Sequence, residues 1–67
     1  ERDAAIAEYE QVVRQSPNYV PARLNLGLSL LAAQRKDEAI KHWEAVLAIS
    51  PGNRNAEMYL TLAGEKG

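Results

Sequence analysis

The stretch Leu24–Leu31, LNLGLSLL, decides the fold class of this chain. Leucine alternates with small or polar residues there, which is the period-two pattern of a half-buried strand. On a helix, at about 100° per residue, Leu24, Leu28 and Leu31 instead lie within about 60° of one another, and the remaining leucines form a second stripe. No other segment alternates, so a strand here would have no partner strand. The pattern therefore predicts a helix with two leucine stripes on different sides, and the stripe that does not face the core needs something to bind.

The chain repeats itself with an offset of 34 residues, which is the separation of Pro17 and Pro51. Each proline follows a serine, and the two Ser-Pro dipeptides share one gap-free register with many identical or similar pairs. These pairs are Asp3/Asp37, Ala5/Ala39, Ile6/Ile40, Tyr9/Trp43, Glu10/Glu44, Val12/Val46, Ala22/Ala56, Leu24/Met58, Leu26/Leu60 and Leu28/Leu62. A period in this range is typical of stacked helical repeats, or solenoids.

Helix boundaries follow from the residues that interrupt the pattern. Pro17 and Pro51 cannot continue a helix, and each disfavours helical geometry in the preceding serine. Asp3 and Asp37 are the predicted N-caps of the first and third helices, and Asn53 can cap the fourth. The sequence thus predicts an all-α fold of about four helices, over residues 3–15, 20–34, 37–49 and 54–64.

The composition excludes several classes of protein. The 67 residues make at most one small domain, and 46% apolar with 25% charged residues is typical neither of a disordered chain nor of a membrane protein. No apolar run approaches the roughly 20 residues that cross a bilayer, so we expect no membrane insertion. A net charge of −1 without a basic face argues against a nucleic acid partner. The chain has no cysteine for disulfides or thiolate metal sites.

Residues 20–51 resemble a tetratricopeptide repeat, whose pattern is W-x2-L-G-x2-Y, then A-x3-F, then P. The matching residues are Leu26, Gly27, Ala39, Trp43 in place of phenylalanine, and Pro51. The departures are Arg23 for the tryptophan, Leu30 for the tyrosine, and Gln34 where a small residue is usual between the helices.

The resemblance implies antiparallel helix pairs in a right-handed superhelical array, a solenoid, within a single domain over residues 1–67. Residues 3–17 resemble the second helix of a preceding repeat, and residues 54–64 the first helix of a following one, although Thr61 and Gly64 depart from the expected glycine and aromatic residue. The chain starts without methionine or a signal-peptide pattern. We therefore expect a piece of a longer protein, whose localisation the sequence leaves open.

Small and large residues of the pattern have complementary expected roles in the core. Gly27 and Ala39 are expected where two antiparallel helices cross closely, so that a side chain added at Gly27 would overpack the crossing. Trp43 is expected to fill the space between helices together with Ile40, Val46 and Leu47.

The family resemblance also implies a partner-binding surface. In this family the first helix of each repeat lines the concave side of the superhelix, where partner peptides lie. That placement predicts an apolar strip with two amides at its margin, formed by Leu24, Asn25, Leu28, Leu31, Asn55, Met58 and Leu62. The strip could equally be covered by neighbouring repeats or by a second copy of the chain.

The expected partner is a protein or peptide with apolar anchors. A well-known binding mode of the family uses Lys and Asn side chains to grip a C-terminal carboxylate, but Leu24 and Leu28 stand at those positions. An amphipathic helix or an extended segment with Leu, Ile or Phe anchors fits better. A rival function is homo-oligomerisation, in which open half-repeat ends or the apolar strip pair between chains.

Catalysis, cofactor binding and metal binding are not expected. His42 is the only histidine and has one carboxylate, Glu38, nearby on a helix, which falls short of a zinc site and predicts a solvent-facing residue. Ser16 and Ser50 precede prolines at helix ends, where serine serves turns. The chain has no glycine-rich phosphate loop and no constellation of catalytic groups.

Overall fold

The computed structural model describes residues 2–64, and within that range the chain forms four helices and no strand. The helices are α1 Arg2–Gln15, α2 Val20–Ala32, α3 Lys36–Ile49 and α4 Arg54–Leu62. The predicted all-α fold is confirmed, and LNLGLSLL is helical throughout. The predicted domain also includes Glu1 and residues 65–67, which lie outside the described residues.

The two Ser-Pro dipeptides end α1 and α3 with the same turn. In each turn the serine amide donates to the carbonyl four residues back, and the residue three positions after the serine donates to the serine carbonyl. The N···O distances are 2.8 and 3.0 Å for Ser16–Val12 and Tyr19–Ser16, and 2.7 and 3.0 Å for Ser50–Val46 and Asn53–Ser50. The sequence repeat is therefore also a repeat of backbone hydrogen bonding.

Of the three predicted N-caps, the one at α4 is right and those at α1 and α3 are wrong. The Asn53 side-chain oxygen accepts a hydrogen bond from the Ala56 amide at 2.9 Å, which satisfies an otherwise unpaired donor at the start of α4. At α3 the capping position belongs to Arg35, so Asp37 lies inside the first turn. Asp3 likewise lies inside the first turn of α1. A carboxylate there still faces the positive end of the helix dipole.

The end of α2 explains why that helix is shorter than predicted. Gln34 has a φ of 68°, in the left-handed region that disfavours an L side chain. The amide of Gln34 donates to the Leu31 carbonyl at 3.0 Å, and the amide of Arg35 donates to the Leu30 carbonyl at 2.8 Å. These two bonds form a Schellman motif, which stops α2 at Ala32 and turns the chain into α3.

The helices pack so that α2 lies at the centre. α2 contacts α1 and α3 extensively, and α4 packs mainly against α3 while touching α2. One continuous apolar core joins all four helices. Its buried residues are Ile6, Val13, Ala22, Leu24, Leu26, Leu30, Ala39, Ile40, Trp43, Val46, Ala56 and Ala63.

Trp43 fills the middle of this core, as the sequence predicts. Its side chain is fully buried, its Nε1–H donates to the Leu24 carbonyl at 3.3 Å, and its ring lies 5.4 Å from the Tyr59 ring. A Cβ added at Gly27 would collide with the Trp43 indole. Glycine is therefore required at this crossing, because the buried indole has no room to retreat.

Candidate functional site

Three large apolar side chains of the predicted strip are exposed to solvent. Leu28 on α2 is 38% exposed, and on α4 Met58 is 52% and Leu62 is 70% exposed. Leu28 and Leu62 are equivalent in the 34-residue register. We call these three residues the exposed strip. They lie on two helices that touch each other.

Leu24 and Leu31 differ from the prediction that they belong to an exposed surface. Leu24 is 9% exposed and part of the core, and Leu31 is half-buried against it. At about 100° per residue, both lie closer than Leu28 to the side of α2 that carries Gly27 and meets Trp43. The stripe of leucines is therefore split: two of its members pack inwards and only Leu28 remains outside.

The two asparagines predicted at the margin of the strip are both exposed. Asn25 lies on α2 and Asn55 on α4. Within the described part of the chain, neither side chain takes part in a hydrogen bond. Their amides can therefore donate to and accept from the backbone of a bound segment.

Other large apolar side chains are exposed outside the strip, at positions that the sequence pattern did not indicate. Val12 on α1 and Ile49 on α3 are each 38% exposed, and Tyr19 in the first turn is 54% exposed. Val12 is equivalent to the fully buried Val46. The difference in burial between Val12 and Val46 is the signal that identifies this exposed site. α3 packs its Val46 face against α2, whereas no described helix covers the equivalent face of α1.

The prediction that His42 faces solvent is wrong. His42 is half-buried, and its Nδ1 accepts a hydrogen bond from the Arg23 guanidinium at 3.1 Å. The same guanidinium donates from Nε to the Pro17 carbonyl at 2.7 Å. Burial, together with the Arg23 charge, lowers the pKa of His42 below its usual value, against the opposite effect of Glu10 and Glu38. The sequence showed that Arg23 replaces the tryptophan of the family pattern, but it gave no signal that Arg23 contacts His42.

A polar depression lies at the turn between α2 and α3, away from the strip. Its volume is about 290 Å³, and residues 34–38 line it. The Arg35 guanidinium and the Glu38 carboxylate form two hydrogen bonds of 2.8 Å across it. That pairing lowers the pKa of Glu38 and raises the pKa of Arg35. Both groups are open to solvent and already paired, so the depression offers little to a ligand.

The described residues also bear on metal sites and membrane spans. From residue 2 to residue 64, no three His, Asp or Glu side chains come together as metal ligands. None of the helices in that range combines the length and the apolar character that crossing a membrane requires.

Comparison with known proteins gives one match. The family model described as tetratricopeptide repeat matches residues 1–54. No curated protein and no solved structure matches the chain. The matched range includes α1, α2 and α3 with both Ser-Pro turns.

Proposed function

Because the chain belongs to the tetratricopeptide repeat family, we propose that it binds an apolar segment of a partner protein on the exposed side of α2 and α4. Repeats of this family generally mediate protein–protein interaction or scaffolding and are generally non-catalytic. Beyond this general role of the family, we propose the location and the chemistry of the binding surface. The surface belongs to a right-handed superhelical stack that residues 20–51 form together with their flanking helices.

The observation that carries the proposal is the exposure of Leu28, Met58 and Leu62 on helices that touch. Exposed apolar side chains that cluster on a small protein usually mark an interaction site. The side-chain amides of Asn25 and Asn55, which make no hydrogen bond to the described residues, supply backbone recognition beside them. The shared 34-residue register makes Leu28 and Leu62 two successive anchors of the same kind.

The size of the expected affinity follows from the number of anchors. Burying one Leu-sized side chain contributes roughly 1.5–3 kcal/mol. Three such anchors and a few hydrogen bonds, less the cost of association, give dissociation constants of about micromolar order. The rigid Trp43-centred core supports this estimate, because a surface that is already ordered loses little entropy on binding.

Self-assembly is the second candidate, and the exposure of Val12 favours it. In a homo-oligomer, α1 of one copy would pack on α4 of another as α3 packs on α2. In the 34-residue register, Glu8 is equivalent to His42 and Glu57 is equivalent to Arg23. This packing would therefore place Glu8 of one copy opposite Glu57 of the other. Two carboxylates would meet where the chain itself pairs a cation with an acceptor, which disfavours this docking.

Thr61 adds a second obstacle to self-assembly. It stands at the position of Gly27, where the aromatic ring of the covering helix requires a residue without a side chain. In a second copy that ring would be Tyr9, the equivalent of Trp43. Partner binding therefore ranks above self-assembly.

One pair of variants tests both candidates. A random-peptide phage library selected on the wild-type chain provides the probe peptide, in which we expect apolar anchors. Leu28→Asp should weaken peptide binding by about tenfold or more, since one anchor is lost. The matched control is Val12→Asp, at a side chain of equal exposure outside the strip, and it should leave peptide binding unchanged.

The same variants separate the alternatives. Unchanged peptide affinity in both Leu28→Asp and Leu62→Asp, with helical circular dichroism intact, would contradict the proposed surface. Loss of helicity in Leu28→Asp would instead place Leu28 in the core. Analytical ultracentrifugation that shows a concentration-dependent oligomer, dissociated by Val12→Asp, would establish self-assembly.

A further inference from the structure

Arg23 joins two parts of the molecule that are far apart in sequence. Its Nε–H donates to the Pro17 carbonyl in the turn between α1 and α2, and its terminal nitrogen hydrogen-bonds His42 on α3. Arg23 itself lies on α2. We call this arrangement of Pro17, Arg23 and His42 the Arg23 clasp. The Arg23 clasp links the turn between α1 and α2 to α3.

The clasp requires one protonation state of His42. A guanidinium is always protonated and can only donate, so Nδ1 of His42 must be an acceptor. The ring proton of the neutral imidazole therefore sits on Nε2. A protonated imidazole has no acceptor, so it cannot receive the hydrogen bond of Arg23.

Charged groups from three helices face His42. Arg23 on α2 opposes protonation, and Glu10 on α1 and Glu38 on α3 favour it. α4 contributes no charged group to this set within the described residues. Half-burial of the ring lowers the pKa of His42 more than Arg23 does and acts in the same direction, because a buried site disfavours the charged form.

We propose that the Arg23 clasp is a pH-sensitive tie that opens when His42 takes up a proton. Protonation occupies the lone pair with which Nδ1 accepts the hydrogen bond, and it places a second cation 3.1 Å from the guanidinium nitrogen. The two cations repel, and the tie between the turn and α3 is lost. This device is independent of what binds the exposed strip.

The direction of the pH effect follows from linkage. The folded chain holds the pKa of His42 below its value in the unfolded chain, about 6.5. The unfolded state therefore binds the proton first as the pH falls. The contribution of the clasp to stability is complete above about pH 6.5 and is lost as the pH drops through the folded-state pKa.

A nuclear magnetic resonance titration tests the clasp directly, because the chain has a single histidine. Long-range ¹H–¹⁵N correlations of the one imidazole should show the proton on Nε2 at neutral pH. The ring should titrate below about 6.5, and Arg23→Gln should move that midpoint upwards because the neighbouring cation is gone. A proton on Nδ1 at neutral pH, or a midpoint that Arg23→Gln does not raise, would overturn the proposal.

Thermal unfolding gives the stability readout. Between about pH 7.5 and pH 5, the melting temperature of wild type should fall further than that of His42→Gln, whose amide oxygen accepts from Arg23 at both values. Equal falls in the two proteins would also overturn the proposal. Carboxylate titration affects both proteins alike, so the difference between them isolates His42.

Discussion

α2 and α4 occupy equivalent positions in the 34-residue register, yet the molecule surrounds them differently. Leu24 is buried in the core, whereas its equivalent Met58 is exposed. Leu28 is partly covered, while Leu62 is among the most exposed apolar side chains described. Two helices at equivalent positions of the repeat therefore present different surfaces.

The difference comes from the number of neighbours. α2 packs between α1 and α3, while α4 packs mainly on α3. Ala22 and Ala56 are both buried, so the face towards the preceding helix is the same in both. The faces diverge at Gly27 and Thr61, where only α2 receives the aromatic ring of a following helix. Exposure on a repeat helix thus reports which neighbour is present.

Truncating the equivalent pair Leu24 and Met58 gives the largest expected effect. Leu24→Ala should destabilise the chain by about 2–5 kcal/mol, because it leaves a cavity beside the core. Met58→Ala, at an exposed side chain, should change stability by less than about 0.5 kcal/mol. Urea unfolding followed by circular dichroism measures both. Similar losses of stability in the two variants would show that α4 is covered as α2 is, and would contradict the difference between the two helices.

Adding one methyl group at Gly27 and removing the side chain of Thr61 test the crossing. Gly27→Ala should cost about 1–3 kcal/mol, because the new Cβ overlaps the Trp43 indole and outweighs the better helix propensity of alanine. Thr61→Ala is the matched control and should be nearly neutral, since its position faces solvent. Melting temperatures suffice for this test. A more stable Gly27→Ala would mean that the helices do not cross as closely as described.

Substitutions at the positions just after α2 and α4 have the smallest expected effect on stability. Gln34 and Gly64 both have positive φ, 68° and 82°. Gln34→Gly should stabilise the chain by about 0.5–1 kcal/mol by relieving the left-handed side chain, and Gly64→Ala should cost a similar amount. Gln34→Ala is the control, because it keeps the Cβ and should bring no gain. A gain in stability in Gln34→Ala would show that the effect comes from the rest of the glutamine side chain rather than from the backbone conformation.

Local rules predicted the fold well. Pro17 and Pro51 mark the ends of helices because a ring without an N–H cannot extend one, and that holds whatever surrounds it. The N-cap prediction succeeded at Asn53, where the side chain reaches its own helix. It failed at Asp37, because Arg35 takes the capping position two residues earlier, directly after the Schellman turn at Gln34.

The candidate surface was less predictable from sequence. Leu24 and Leu28 lie only about 40° apart on an ideal helix, so periodicity placed them in one stripe. The packing of α2 divides them, because the neighbouring helices cover one of the two. The hydrogen bond between Arg23 and His42 also escaped prediction, since it joins residues that only the pairing of α2 with α3 brings together.

The amino-acid sequence by itself determined the helices and the turns that end them, because these depend on backbone geometry within a few positions, and it displayed the 34-residue period directly. Only the tertiary structure decided which leucines remain exposed and which groups surround His42. The physical reason is that burial and hydrogen bonding are properties of a position relative to all its neighbours, and those neighbours come from distant parts of the chain.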